Sequence, residues 1–131
     1  MKLFKSSAIA LILMALIFAG CKSKGAKELI VNKWKLTELS GESAKEMSDT
    51  EKKEMTDKLV MELTKDGKVT MSGMWDTPKT GTYSLSDDGK TLFLTRDGDT
   101  KAEPQAINEL KEGKLVITSE KDKMVLSFSA K

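Results

Sequence analysis

From Val31 onward, apolar and polar residues alternate in short runs separated by turn-forming clusters. Leu59, Met61 and Leu63 fall on one side of such a run, with Glu62 and Thr64 on the other. Val69 and Met71 alternate with Lys68, Thr70 and Ser72, and Tyr83 with Leu85, then Leu92 with Leu94, continue the pattern. Leu115 and Ile117 follow, and Met124, Leu126 and Phe128 close the chain. Period-two alternation marks strands with one face in a core and the other in water. Between the runs lie Lys65-Asp66-Gly67-Lys68, Asp87-Asp88-Gly89-Lys90, Lys111-Glu112-Gly113-Lys114 and Lys121-Asp122-Lys123. Asp-Gly and Glu-Gly pairs suit tight hairpins, because glycine takes a positive φ without steric cost. The spacing predicts eight strands, at 31–39, 58–65, 68–74, 80–86, 91–96, 105–111, 114–119 and 123–129.

Short strands at regular spacing, joined by hairpins, predict an all-β domain. Closing such a sheet removes its exposed edges. The expected architecture is therefore an eight-stranded antiparallel up-and-down barrel. One segment departs from the alternation. Residues 43–58 are polar and rich in helix formers, and Ser48-Asp49-Thr50-Glu51 resembles a capping box. A short helix over 49–57, inserted between the first and second strands, would turn Met55 and the stem of Lys52 inward. Its thin apolar stripe places it over an end of the barrel, either as a lid on a pocket or as a plug that shields the core.

The N-terminus has a different character. Lys2 and Lys5 precede thirteen uncharged, mostly apolar residues from Ala8 to Gly20. A bilayer core needs roughly 20 apolar residues in a helix, so this run is too short to span. A charged start, a short apolar middle and small residues before a cut site describe a secretory signal. Ile17-Phe18-Ala19-Gly20-Cys21 resembles the lipobox of bacterial lipoproteins, which implies cleavage after Gly20 and acylation of Cys21. Cys21 is the only cysteine, so no intramolecular disulfide can form. The chain is thus divided into a signal peptide over 1–20, a lipidated cysteine with a polar tether over 21–27, and a barrel domain over 28–131. By the same resemblance, Lys22 stands where an aspartate would retain the protein in the inner membrane, and no acidic cluster for surface exposure follows Cys21, which together imply the outer membrane, facing the periplasm.

Charge and chemistry narrow the function. Without Lys2 and Lys5, 20 acidic side chains face an equal number of basic ones, with the signs interspersed. A nucleic-acid partner calls for a clustered basic face instead. There is no histidine, and lipidation consumes the one cysteine, so histidine- or cysteine-based triads and zinc sites have no raw material. No glycine-rich phosphate loop is present. Asp97-Gly98-Asp99 lacks the longer spacing of a dedicated calcium loop. No catalytic residue, metal ligand or cofactor is expected, and the protein is not expected to be an enzyme.

Asn32-Lys33-Trp34-Lys35-Leu36, followed by a helical insert and consecutive hairpins, resembles the lipocalin-like domains of bacterial lipoproteins, many of Bacteroidetes type. That resemblance covers about residues 28–131 and implies a barrel suited to a small ligand. Trp34 is expected to close the barrel base. Trp75, in the turn Gly73-Met74-Trp75-Asp76-Thr77-Pro78, belongs to the rim, as a binding contact or as a cover for the mouth. Met61, Met71, Met124 and Tyr83 point inward, as pocket lining or as plain core. Eight strands enclose an interior that side chains can fill or that holds one small ligand. Large inward residues (Met61, Leu63, Met71, Tyr83, Phe128) favour a mostly filled barrel with a shallow mouth. Two functions follow: an anchored barrel that binds a small apolar ligand at its mouth, with Trp75, Met61, Met71 and Tyr83 as contacts, or a solid envelope barrel that contacts another protein as an inhibitor or assembly factor.

Overall fold

The computed structural model describes residues 25–131. The segment read as a signal peptide, Cys21 and most of the stretch read as tether lie outside the described residues. Strands β1 (Asn32–Gly41), β2 (Val60–Leu63), β3 (Lys68–Ser72), β4 (Lys79–Leu85), β5 (Thr91–Arg96), β6 (Glu103–Lys111), β7 (Lys114–Ser119) and β8 (Met124–Ala130) follow one another around a closed barrel. Every neighbouring pair is antiparallel, and β8 returns to pair with β1. The eight predicted strands are all present, with ends displaced by a few residues. β6 starts two residues earlier than the alternation suggests. Pro104 stands at its second position, opposite Phe93, where a strand end tolerates a missing N–H.

Among the described residues, three short helices accompany the sheet: α1 (Ala26–Leu29), α2 (Glu42–Lys45) and α3 (Asp49–Lys58). The predicted insert is therefore a helix pair, and α1 begins within the stretch read as tether. The capping box at the start of α3 is complete. Glu51 N donates to Ser48 Oγ at 3.2 Å, and Ser48 N donates to Glu51 Oε2 at 2.9 Å. At the other end of α3, the half-buried Lys35 Nζ donates to Thr56 O at 2.8 Å, placing a cation on the carbonyl end of the helix. Met55 packs against the core, as its position in the helix predicts.

Two strands break strict alternation, and each break has a bulge behind it. On β1 the inward residues Trp34 and Leu36 are followed by Leu39, three positions on rather than two. The pairing with β8 shifts between Leu36 and Glu38, so Leu39 regains the inner face opposite Leu126. On β6 the same shift between Ile107 and Glu109 returns Leu110 to the interior opposite Leu115.

The two ends of the barrel differ. At one end the β2–β3, β4–β5 and β6–β7 turns meet α1 and the chain terminus. Here Trp34, Leu36, Met61, Leu63, Leu115 and Phe128 pack at 1 % exposure or less. Fully burying a side chain of this kind contributes roughly 1.5–3 kcal/mol. This is the closed base, with Trp34 in it as expected. The other end carries the 73–78, 97–102 and 120–123 loops and forms the mouth.

Candidate functional site

The mouth opens into a cavity of about 540 Å³. Its floor and lower walls are apolar: Val69 and Met71 from β3, Leu94 from β5, Ile117 from β7 and Leu126 from β8. Val69 and Ile117 are also members of the buried core, so the cavity reaches into the barrel rather than resting on it. The shallow mouth expected from the sequence is corrected by this depth. The large inward residues do exist, but Met61, Leu63, Tyr83 and Phe128 do not line the cavity and fill the base half. In the mouth half, Gly81, Gln105 and Ser119 take three inward positions beside Met71, Leu94 and Leu126, and bring less apolar bulk than the base half holds.

Gly81 is the clearest of the three. It pairs with Val69 on one side and Arg96 on the other. A β-carbon built on it would lie 2.2 Å from Thr95 O, so β4 and β5 approach too closely there for any side chain. Across the cavity, Gln105 and Ser119 face each other as Cα partners on β6 and β7, each 6 % exposed. They are the two buried polar residues among the described residues. Ser119 Oγ accepts from Asp122 N at 3.4 Å, which ties the β7–β8 turn to the wall.

Charges ring the opening: Lys79, Arg96 and Lys101 against Asp99, Glu103 and Asp122. Arg96 Nε lies 3.8 Å from Asp99 Oδ2, and Lys121 Nζ lies 3.6 Å from Glu103 Oε1. All four side chains are solvated, and such pairs each contribute little to stability. Lys79 Nζ stands 6.0 Å from the centroid of the Trp75 ring, at the outer limit of a cation–π contact. Thr80 Oγ1 donates to Asp97 Oδ2, so the two carboxylates of Asp97-Gly98-Asp99 answer to different partners. Among the described residues no group of three or more carboxylate, thiol or imidazole side chains is arranged to hold a metal.

Of the four residues marked as ligand contacts from the sequence, the structure brings two together. Trp75 lies on the cavity wall while 44 % of its surface stays exposed, the one large hydrophobic residue so exposed among the described residues. Met71 lines the wall with it. Met61 is fully buried opposite Trp34 and belongs to the core. Tyr83 lies toward the base, where its hydroxyl donates to Thr64 O at 2.6 Å. Burial, with a smaller push from the charge of Asp66, holds the Tyr83 phenol above its usual range. Of the two roles open to the helical insert, that of a lid does not apply to this cavity, because none of residues 42–58 lines it; α2 packs against β1 and β8 and buries Ala44, while α3 lies against β1 and turns Met55 to the core.

Gln105 and Gly81 were not marked from the sequence. The signal for Gln105 was present: it occupies an inward position of the Gln105–Ile107 alternation, and the bulge after Ile107 hides that register. Gly81 carries no turn signature and interrupts no apolar run, so nothing local distinguishes it.

The sequence model of the lipocalin-like domain family matches residues 30–117. Among solved structures, the crystal structure of a DUF4847 family protein from Bacteroides vulgatus is similar, with a TM-score of 0.57 at 14 % identity. The match covers 80 % of this chain and 96 % of that one, and at such identity it speaks for the fold alone. No curated protein matches the chain.

Proposed function

The chain belongs to the lipocalin-like domain family, and from that premise we propose that it is a lipid-anchored cell-envelope protein whose barrel takes up one small, mainly apolar ligand through its mouth. The observation that carries the binding reading is the cavity. At about 540 Å³ it falls within the range of small-molecule sites, roughly 300–1,000 Å³. An apolar floor supplies burial for a ligand body, and Trp75 offers a flat face at the entrance. A barrel acting only through its outer surface has no use for such a space. The anchor rests on the lipobox at Ile17–Cys21. One acyl chain holds a protein to a membrane only marginally, and the two or three chains of a bacterial lipoprotein hold it durably.

Native mass spectrometry on protein released gently from its own envelope tests both parts, with a soluble Cys21→Ser form as control. Mass at Cys21 matching signal removal plus acylation is expected, and an unmodified precursor overturns the anchor. Additional non-covalent mass that survives in the control and disappears on Trp75→Ala is expected for the ligand. A control that stays bare from every growth condition turns the search to protein partners.

A further inference from the structure

The inner face of β6 carries Glu103 at the rim, Gln105 within the cavity and Ile107 toward the base. Gln105 is flanked across the sheet by the fully buried Leu92 on one side and by Ser119 on the other. Its backbone belongs to the β ladder, but its carboxamide makes no hydrogen bond to any other described residue. No described side-chain nitrogen or oxygen is both sealed from the surface and unpaired. The carboxamide of this 6 % exposed residue therefore keeps its remaining open surface on the cavity it lines. Open to the cavity, this amide can be served by water, and a ligand that expels the water has to replace its hydrogen bonds or leave it buried and unpaired, which is costly.

A ligand whose apolar body covers the floor must either meet this amide or seal it off unpaired. A primary amide both donates and accepts, so its complement is a group that does the same or supplies one of the two. The rim adds a constraint of charge. Three cations and three anions share it, and none of them is buried. A ring balanced in this way carries no net formal charge to favour a charged head group of either sign.

Resting on the pocket reading above, we propose that the ligand is a neutral amphiphile whose amide or hydroxyl group is recognised by the Gln105 carboxamide. Gln105 acts as a specificity residue: the apolar floor supplies affinity, and the amide selects which apolar molecules can enter without leaving it unpaired. An anionic analogue of equal length has to desolvate its carboxylate in the same place without a buried cation to receive it.

The test is calorimetric titration of the mature Cys21→Ser chain with decanamide, 1-decanol and decanoate, three probes of one chain length. Decanamide and 1-decanol are expected to bind about tenfold more tightly than decanoate, and Gln105→Leu is expected to weaken decanamide about tenfold with little change for decanoate. In parallel, the side-chain NH2 resonances of Gln105 in the wild-type amide spectrum are expected to move on adding decanamide. That measurement decides the matter even where Gln105→Leu fails to fold. Equal affinity for the three probes, with the Gln105 resonances unmoved, overturns the role of Gln105 and leaves the pocket standing. Failure of all three probes to bind overturns the pocket reading and this inference together.

Discussion

Trp34 Nε1 donates to the carbonyl of Ile30 at 2.9 Å, and both residues are fully buried. This bond fastens the segment after α1 beneath the barrel, so that the indole and Ile30 together seal the base. A tryptophan there satisfies two demands at once: a large apolar surface for the core, and a donor for a carbonyl at the end of a one-turn helix. Phenylalanine meets only the first.

Trp34→Phe is therefore expected to destabilise the protein by about 1–3 kcal/mol, the cost of a buried carbonyl deprived of its partner. Trp34→Ala adds the loss of the ring and is expected to cost about 3–5 kcal/mol. Urea unfolding midpoints measure both. Equal midpoints for wild type and Trp34→Phe would show that the bond contributes nothing.

Trp75→Ala is expected to behave in the opposite way. With 44 % of its surface exposed on a rim loop, Trp75 bears little of the fold. Its removal should change stability by no more than about 0.5 kcal/mol, while weakening retention of any ligand in the cavity. The same preparation can be followed by urea unfolding and by native mass spectrometry, and a large loss of stability would reassign Trp75 to the core.

Gly73 and Gly98 both hold a positive φ, at 97° and 88°, but their surroundings differ. A β-carbon on Gly73 would fall 1.7 Å from Lys58 O, whereas one on Gly98 meets nothing within 4 Å. Gly98→Ala is expected to cost about 1–2 kcal/mol from backbone conformation alone. Gly73→Ala must also push the end of α3 away from β3, and is expected to cost about 4 kcal/mol or to abolish folding. Thermal unfolding of the pair checks the order.

Alkaline pH should expose Tyr83. Its phenol titrates above the ordinary value of 10.0 because burial disfavours the phenolate, with the charge of Asp66 acting in the same direction. A group whose folded value is raised contributes its stabilisation fully below the unfolded value and loses it as pH climbs through the folded one. The stability difference between wild type and Tyr83→Phe, set by the hydroxyl's bond to Thr64 O, is expected to stay constant up to about pH 10 and to shrink above it. Taking the difference cancels lysines that titrate in the same region, such as Lys58, whose value its bond to Glu54 raises. Urea midpoints across pH 8 to 11 (roughly the span around the phenol's ordinary value) provide the check.

The strands were legible because Leu59-Val60-Met61-Glu62-Leu63 and its counterparts state both face and period, and because the hairpins announce themselves through Asp-Gly and Glu-Gly. The capping box at Ser48 and Glu51 was legible for a similar local reason. What could not be read was the distribution of size along the barrel axis. Met61 and Tyr83 alternate as well as Met71 does, but their depth depends on the register of β2 with β1 and of β4 with β5, which no local pattern encodes. The mouth half holds less apolar bulk because Gly81 and two polar residues, Gln105 and Ser119, take inward positions. A rule that equates inward with apolar passes over them. The bulges after Leu36 and Ile107 add to the difficulty, because each moves the following apolar residue by one place.

α1, the start of β1 and the end of β8 all lie at the base, with Lys131 N donating to Lys33 O at 2.9 Å, while the opening lies at the opposite pole. The polypeptide thus leaves for its proposed anchor from the pole farthest from the opening. An attached barrel of this build would stand with its doorway turned toward the aqueous space instead of the bilayer surface. Cargo would then pass to and from whatever diffuses in that space, and exchange with the supporting leaflet would require the barrel to turn over on its tether.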